Sequence, residues 1–219
     1  FSDILKRSFL QVIGFEVEID IVVNGAVGSK EDKEKKTEII SEKKPEKENY
    51  SPVKNTLEYY TFDNFIVGKS NFLAYEMAKK VVDTPAQLNP FLIYGNSGLG
   101  KTHLLYAIYN ELKRKDPNAV IIYITAKQFL DGFQEALKNK KTEGFLSKFK
   151  NIDALLIDDI QTLKSTEVTQ LEFFHVFEDL YNKGKQIVLT ADVAPKEIDG
   201  IDERLRSRFE MGLIADIKT

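Results

Sequence analysis

Short unbroken runs of apolar residues punctuate the second half of the chain: Phe91-Leu92-Ile93-Tyr94, Val120-Ile121-Ile122-Tyr123-Ile124, Ala154-Leu155-Leu156-Ile157, Ile187-Val188-Leu189-Thr190 and Leu213-Ile214-Ala215-Asp216-Ile217. Runs of this length without alternating polar positions predict strands covered on both faces. Between them the apolar positions recur at helical spacing. Phe72, Leu73, Tyr75, Met77, Ala78, Val81 and Val82 form one such set, and Leu104, Leu105, Ile108, Tyr109 and Leu112 another. Phe129, Phe133 and Leu137 are spaced by four, and Phe145, Leu146 and Phe149 predict a short helix. Val168, Leu171, Phe173, Phe174, Val176, Phe177, Leu180 and Tyr181 predict a strongly buried helix, with His175 inside the stripe as a packing residue. Ser70 is the expected cap of the first helix, Asp116-Pro117-Asn118 stops the second, and Gly184 closes the last of these. Strands alternating with helices predict an α/β domain built on a parallel sheet.

That domain begins near Leu57. Before it, residues 1–23 read as one apolar helical face (Ile4, Leu5, Phe9, Leu10, Ile13) and one alternating strand (Phe15, Val17, Ile19, Ile21). Two elements cannot bury their own faces, so these residues are expected to be the end of another domain or to pair with a partner. Residues 24–56 read as a linker: Ser29 to Glu48 holds seven lysines and seven acids, with Ile39 and Ile40 as its large apolar groups. Too little burial is available there to offset the entropy of ordering.

Composition narrows the chemistry. The chain has 219 residues, 42% of them hydrophobic, a formal net charge of -3, two histidines and no cysteine. Disulfides, thiolate metal sites and cysteine nucleophiles are therefore excluded, and two histidines make a poor zinc cluster. No global basic field advertises nucleic acid, although Lys138-Asn139-Lys140-Lys141 is either a solvated helix end or a local polyanion contact. No signal peptide and no apolar span of membrane length is apparent, so a soluble cytoplasmic protein is expected. The start at Phe1 rather than Met leads us to expect a processed or partial chain.

The chemistry concentrates after the first strand run. Gly95-Asn96-Ser97-Gly98-Leu99-Gly100-Lys101-Thr102 fits the GxxxxGKT spacing, with a strand before it and a helix after it. Its glycines let backbone amides curl round phosphate, and the helix start adds a positive end. Lys101 is expected to reach the β- and γ-phosphates of a nucleotide, and Thr102 to place its hydroxyl on Mg²⁺. His103 is expected beside the nucleotide. The third apolar run ends in Asp158-Asp159, two carboxylates at the sheet edge where α/β proteins bind ligands. Asp158 would serve Mg²⁺ through water, and Asp159 would polarise or position the attacking water. Gln161 to Lys164 reads as a loop near that site. Asp192, just past the fourth run, is either a γ-phosphate sensor or a turn former. Arg204, Arg206 and Arg208 are either a salt-bridged helix end or the source of an arginine that reaches another subunit's nucleotide. Phe65, Ile66, Val67 and Asn71 either pack against the domain edge or surround an adenine.

These blocks, in this order, resemble the DnaA family of bacterial replication initiators, which are AAA+ ATPases. The likeness runs from about Tyr60 to the end. It is carried by Thr61-Phe62-Asp63-Asn64-Phe65, Gly68-Lys69-Ser70-Asn71, Asn89 through Leu105, Asp153 through Gln161, Glu172-Phe173-Phe174-His175, and Pro195 through Phe209. The resemblance implies a P-loop NTPase of the AAA+ type with a parallel five-stranded sheet of order 5-1-4-3-2. It implies ATP or ADP with Mg²⁺ on Lys101, Thr102 and the Asp158-Asp159 pair, with Asp192 as first sensor. Arg208 resembles the finger that acts on a neighbour's ATP, and Ile66, Val67, Gly68 and Asn71 the adenine-side segment.

Implied partners are further copies of the core, origin DNA, the replicative helicase through an N-terminal domain, and acidic phospholipid. Single-stranded DNA would run near Gln134 to Lys141 and near Val168. Two departures bear on this. Ala191-Asp192-Val193 lacks the family's arginine after the acid, and Val168 stands where a basic residue is common. The helical lid and the helix-turn-helix domain of the family are not in this sequence, so weak nucleotide retention and slow hydrolysis are expected of this chain. A helicase loader of the same superfamily, or a non-enzymatic nucleotide-binding regulator of the initiator, are the competing readings.

Overall fold

The computed structural model describes residues 57–164 and 166–218. The readings made for 1–23 and 24–56 lie outside the described residues. A 3₁₀ turn, Leu57–Tyr59, leads into α1 (Phe72–Asp83), β1 (Phe91–Tyr94), α2 (Lys101–Lys115), β2 (Ile121–Thr125), α3 (Ala126–Lys138) and α4 (Thr142–Ser147). Then follow β3 (Ala154–Asp158), a 3₁₀ turn at Ile160–Leu163, α5 (Glu167–Asn182), β4 (Gln186–Ala191), α6 (Glu203–Glu210) and β5 (Leu213–Asp216). All strand pairs are parallel and the sheet order is β2-β3-β4-β1-β5, the expected 5-1-4-3-2 read from the other side.

The apolar runs are explained by what covers them. Successive strand residues point to opposite faces. Leu92, Leu155, Ile157, Ile187 and Leu189 join the core under α3, α4, α5 and α6. Phe91, Ile93, Leu156, Val188 and Ala215 join a second core under α1 and α2. In the first core Phe129 meets the rings of Phe133, Phe145, Phe149 and Phe173, with centroids 5.1–6.4 Å apart. Burying each such ring contributes about 1.5–3 kcal/mol.

Polar side chains fix the register where the strands begin. Asn89 accepts from the Ile187 N–H (2.8 Å) and donates to the Lys185 carbonyl (2.9 Å), so its amide extends the β1–β4 ladder. Gln186, buried at 1% exposure, accepts from the Ala86 N–H and donates to the Leu88 carbonyl. At the opposite edge Thr125 ends β2 and opens α3 through a capping box with Gln128.

Several helical expectations are corrected. Asn71, not Ser70, caps α1, and its side chain turns back to the preceding loop instead of bonding the first turn of the helix. Val120 lies outside β2 and is exposed, as are Leu137 and Val168. His175 is not a packing residue: its side chain is 57% exposed and its Nδ1 lies 3.6 Å from Glu172. The predicted stripe is interrupted there because α5 buries Thr169, Gln170, Phe173, Val176, Phe177 and Leu180, a face that excludes position 175.

Candidate nucleotide site

The C-terminal ends of β1, β3 and β4 bring Lys101, Thr102, Asp158, Asp159 and Asp192 together. α2 starts at Lys101 because Gly100 takes a left-handed conformation (φ 92°) as its N-cap. A side chain at Gly100 would be strained, and its Cβ would lie 2.8 Å from the Phe65 ring. Gly95 is required for a different reason: a Cβ there would lie 2.3 Å from the Ile217 carbonyl oxygen, and the Ile217 N–H donates to Tyr94. The first loop glycine thus admits the chain after β5, in addition to shaping the loop.

The Lys101 ammonium is buried and fully engaged. It donates to the carbonyls of Gly95 (2.7 Å) and Asn96 (3.0 Å) and to Asp192 Oδ1 (2.8 Å). Asp158, also buried, is held by three hydroxyls. Thr102 and Tyr123 donate to Oδ2 at 2.8 and 2.9 Å, and Thr190 donates to Oδ1. Burial and the nearby Asp158 charge push the Tyr123 phenol well above its usual range, so it stays a donor. Asp159 follows in the left-handed region (φ 59°), with its N–H on Thr190 Oγ1 (3.0 Å). Burial, then the charges of Asp158 and Asp192, raise the Asp159 carboxyl above the ordinary aspartate value; Gln161 and Lys101 oppose the shift.

Gln161, read from sequence as loop, lies inside this network. Its Nε2 donates to Asp159 Oδ1 (3.2 Å) and Asp192 Oδ2 (2.9 Å), and its Oε1 accepts from the Asp192 N–H (3.2 Å). Tyr123 and Thr190 escape the sequence reading because each sits in a run read as buried strand, and Gln161 because it reads only as loop near the Asp158-Asp159 pair. The available signal was a polar residue near the C-terminal end of a buried strand.

The donor set fits a magnesium-nucleotide. Thr102 Oγ1 and the Asp158 carboxylate are adjacent hard oxygens, and Mg²⁺ is ordinarily held by one or two such groups plus phosphates and water. Among the described residues, no cluster of three His, Cys, Asp or Glu side chains is placed to hold a metal ion by itself.

In the segment expected beside the adenine, Asn71 accepts from the Gly68 N–H (2.8 Å) and donates to the Ile66 carbonyl (2.9 Å), closing the 66–68 loop. Ile66 is 88% exposed and Val67 is exposed, whereas Phe65 is buried, stacked on Tyr75 and edge-on to His103. His103 Nε2 donates to the Thr61 carbonyl (2.8 Å) and its ring meets Tyr60. The aromatic lead-in therefore packs, while Ile66 and Val67 remain open for contact.

Arg208 does not join the cluster. Its Nε lies 2.6 Å from Glu178 Oε1, and its Nη2 donates to Oε2 (3.2 Å), anchoring α6 to α5. Arg204 pairs with Asp202 at the start of α6, and that pairing holds the Asp202 carboxyl down at about 2. Arg206 binds Glu203 and the Ile198 carbonyl.

A parallel sheet in this order, a glycine loop carrying Lys101-Thr102, the carboxylate pair at the end of β3 and Asp192 after β4 define a nucleotide-binding P-loop domain of the AAA+ class. Residues 57–216 match the family model described as the bacterial DnaA ATPase domain, and the chain belongs to that family. The chromosomal replication initiator protein DnaA of Thermodesulfovibrio yellowstonii is 43% identical over all of this chain and 48% of its own length. Domain III of the Thermotoga maritima replication initiation protein DnaA is 43% identical with a TM-score of 0.71, over 73% of this chain and 67% of that one. A replication initiator DnaA bound to AMPPCP and single-stranded DNA is 45% identical with a TM-score of 0.70, over 73% of this chain and 50% of that one. The chain spans about half the length of the curated relatives it matches.

Proposed function

We propose that this chain is the ATP-controlled assembly core of a bacterial replication initiator working in the cytoplasm. The observation that carries the reading is a division of charge. Lys101 is the one cation in the described network around Asp158, Asp159 and Asp192, while Arg208 is held apart by Glu178. A γ-phosphate on Lys101 therefore needs a second cation, and the Arg208 of a neighbouring copy supplies it. The relative solved with AMPPCP and single-stranded DNA supports this reading by family membership.

On ATP binding, Lys101 exchanges Asp192 for the β- and γ-phosphates. Asp159 positions water for in-line attack, and Lys101 with the neighbour's Arg208 stabilises charge on the transferring group. Thr102 and, through water, Asp158 would hold Mg²⁺, which supplies Lewis-acid stabilisation of the phosphate oxygens. Ile66, Val67 and Gly68 contact the adenine, with Asn71 holding their loop. Slow hydrolysis resets the assembly. Assembled cores hold single-stranded DNA near Gln134 to Lys141. The exposed Val168 and Val193, standing where the family carries basic residues, weaken that hold. Duplex origin DNA, the replicative helicase and acidic phospholipid are the further partners of such an initiator.

Sedimentation of wild type and Arg208→Ala with ATP and with ADP tests the proposal. Wild type should sediment faster with ATP alone, and Arg208→Ala should stay monomeric while binding ATP. If both remain monomers with ATP bound, or both assemble alike, the neighbour's arginine plays no part and the reading fails.

A further inference from the structure

We propose that Gln161 is a positioning residue for hydrolysis, one that spaces the water-directing carboxylate from the γ-phosphate sensor. The inference rests on the ATPase reading above.

Every polar atom of its amide is committed. Nε2 lies between Asp159 Oδ1 (3.2 Å) and Asp192 Oδ2 (2.9 Å), giving one N–H to each. Oε1 takes the N–H of Asp192 (3.2 Å), so the side chain grips both ends of that residue. An amide suits this place as no ionisable group does. A cation would compete with Lys101 for Asp192, and a carboxylate would add a further negative charge to a cluster that already holds Asp158, Asp159 and Asp192. The support beneath it is rigid: Gln161 lies in the 3₁₀ turn at Ile160–Leu163, whose Ile160 and Leu163 are fully buried. The Thr162 N–H and hydroxyl both bond the Asp159 carbonyl, fixing the turn to the strand end.

The consequence is mechanical. When Lys101 turns from Asp192 to phosphate, Asp192 loses its buried counter-ion and would otherwise relax toward solvent. Gln161 keeps it in place and keeps Asp159 at a set distance from it. Displacements well under the length of a hydrogen bond matter for in-line attack, so loss of this strut lowers the rate of hydrolysis without removing any group that binds nucleotide.

The test compares wild type, Gln161→Ala, Gln161→Glu and Asp159→Asn. The readouts are single-turnover ATP hydrolysis, equilibrium affinity for ATP and ADP with Mg²⁺, and Tm. Gln161→Ala should hydrolyse at least about 10-fold more slowly while both affinities stay within about threefold. Gln161→Glu, with the same shape, should not restore the rate and should bind ATP more weakly than Gln161→Ala does. Hydrolysis by Gln161→Ala within twofold of wild type overturns the proposal. So does a rate that falls only in proportion to ATP affinity and Tm, since that marks a purely structural role. Wild type and Asp159→Asn separate the two levels: a wild type that does not hydrolyse ATP would defeat the ATPase reading itself, and an Asp159→Asn that hydrolyses at the wild-type rate would defeat the water-directing role of Asp159 on which the Gln161 assignment depends. An inactive Asp159→Asn beside a fully active Gln161→Ala would defeat the Gln161 assignment alone.

Discussion

Asp159 concentrates the conflict between stability and chemistry in a single residue. It is partly buried, beside Asp158, in a left-handed conformation that asparagine and aspartate tolerate better than other side chains. Its carboxyl is held above the ordinary value of 3.8, mainly by burial and then by the Asp158 charge. A raised folded-state pKa means that the stabilising contribution of the neutral form is full below about pH 4 and is lost as pH rises through the folded value. Asp159→Asn should therefore be more stable than wild type near neutral pH, with the difference shrinking at pH 4. Thermal melts at pH 4, 6 and 8 measure this, and an advantage that grows toward low pH would contradict it. Asp202 behaves in the opposite sense. Its carboxyl is held at about 2 by Arg204, so its contribution is present above the ordinary aspartate value and fades as pH falls toward 2.

Among elements, the β1–β4 junction shows how side chains finish what the ladder begins. Asn89 replaces two backbone partners with its amide, and Gln186 satisfies its buried polar atoms in the turn after α1. Asn89→Ala leaves the Ile187 N–H and the Lys185 carbonyl without those partners, which should cost about 1–3 kcal/mol. A lower urea midpoint with an unchanged slope would report it; an unaltered midpoint would mean that water replaces the amide at no cost.

The same elements explain what was legible beforehand. Five strands, the glycine loop and the Asp158-Asp159 strand end could be read because apolar runs and glycine spacing are local signals. The exposure of His175 and the partnership of Arg208 with Glu178 could not, because each depends on how α5 meets the rest of the fold. The role of Gly95 was half legible: its spacing marked the loop, but the Ile217 carbonyl that excludes a Cβ comes from 122 residues later in the chain. Gln161 was half legible as well: its place just past a buried strand put it near the site, but its bonds to Asp159 and Asp192 depend on how the turn after β3 meets the end of β4.

Across the described domain as a whole, the two cores give the sheet edge a fixed frame, and Phe65 against Gly100 ties the aromatic lead-in to the glycine loop. A substitution in either segment is felt by the other, although 35 positions separate them in the chain. The ion pair between Lys101 and Asp192 has a further effect. With that lysine neutralised, the pocket still carries the charges of Asp158 and Asp159, so its resting balance is negative. A bare polyphosphate approaching it meets repulsion before it meets a cation. Its charge must be screened on arrival, so the domain should discriminate sharply between free and magnesium-complexed nucleotide. Chelating Mg²⁺ should weaken ATP binding at least about 10-fold at constant ionic strength, a difference of about 1.4 kcal/mol. Asp158→Asn, which removes one of those charges, should narrow the gap by improving the binding of free ATP. The pocket would thus act as an electrostatic gate that admits the metal complex and turns away the naked anion.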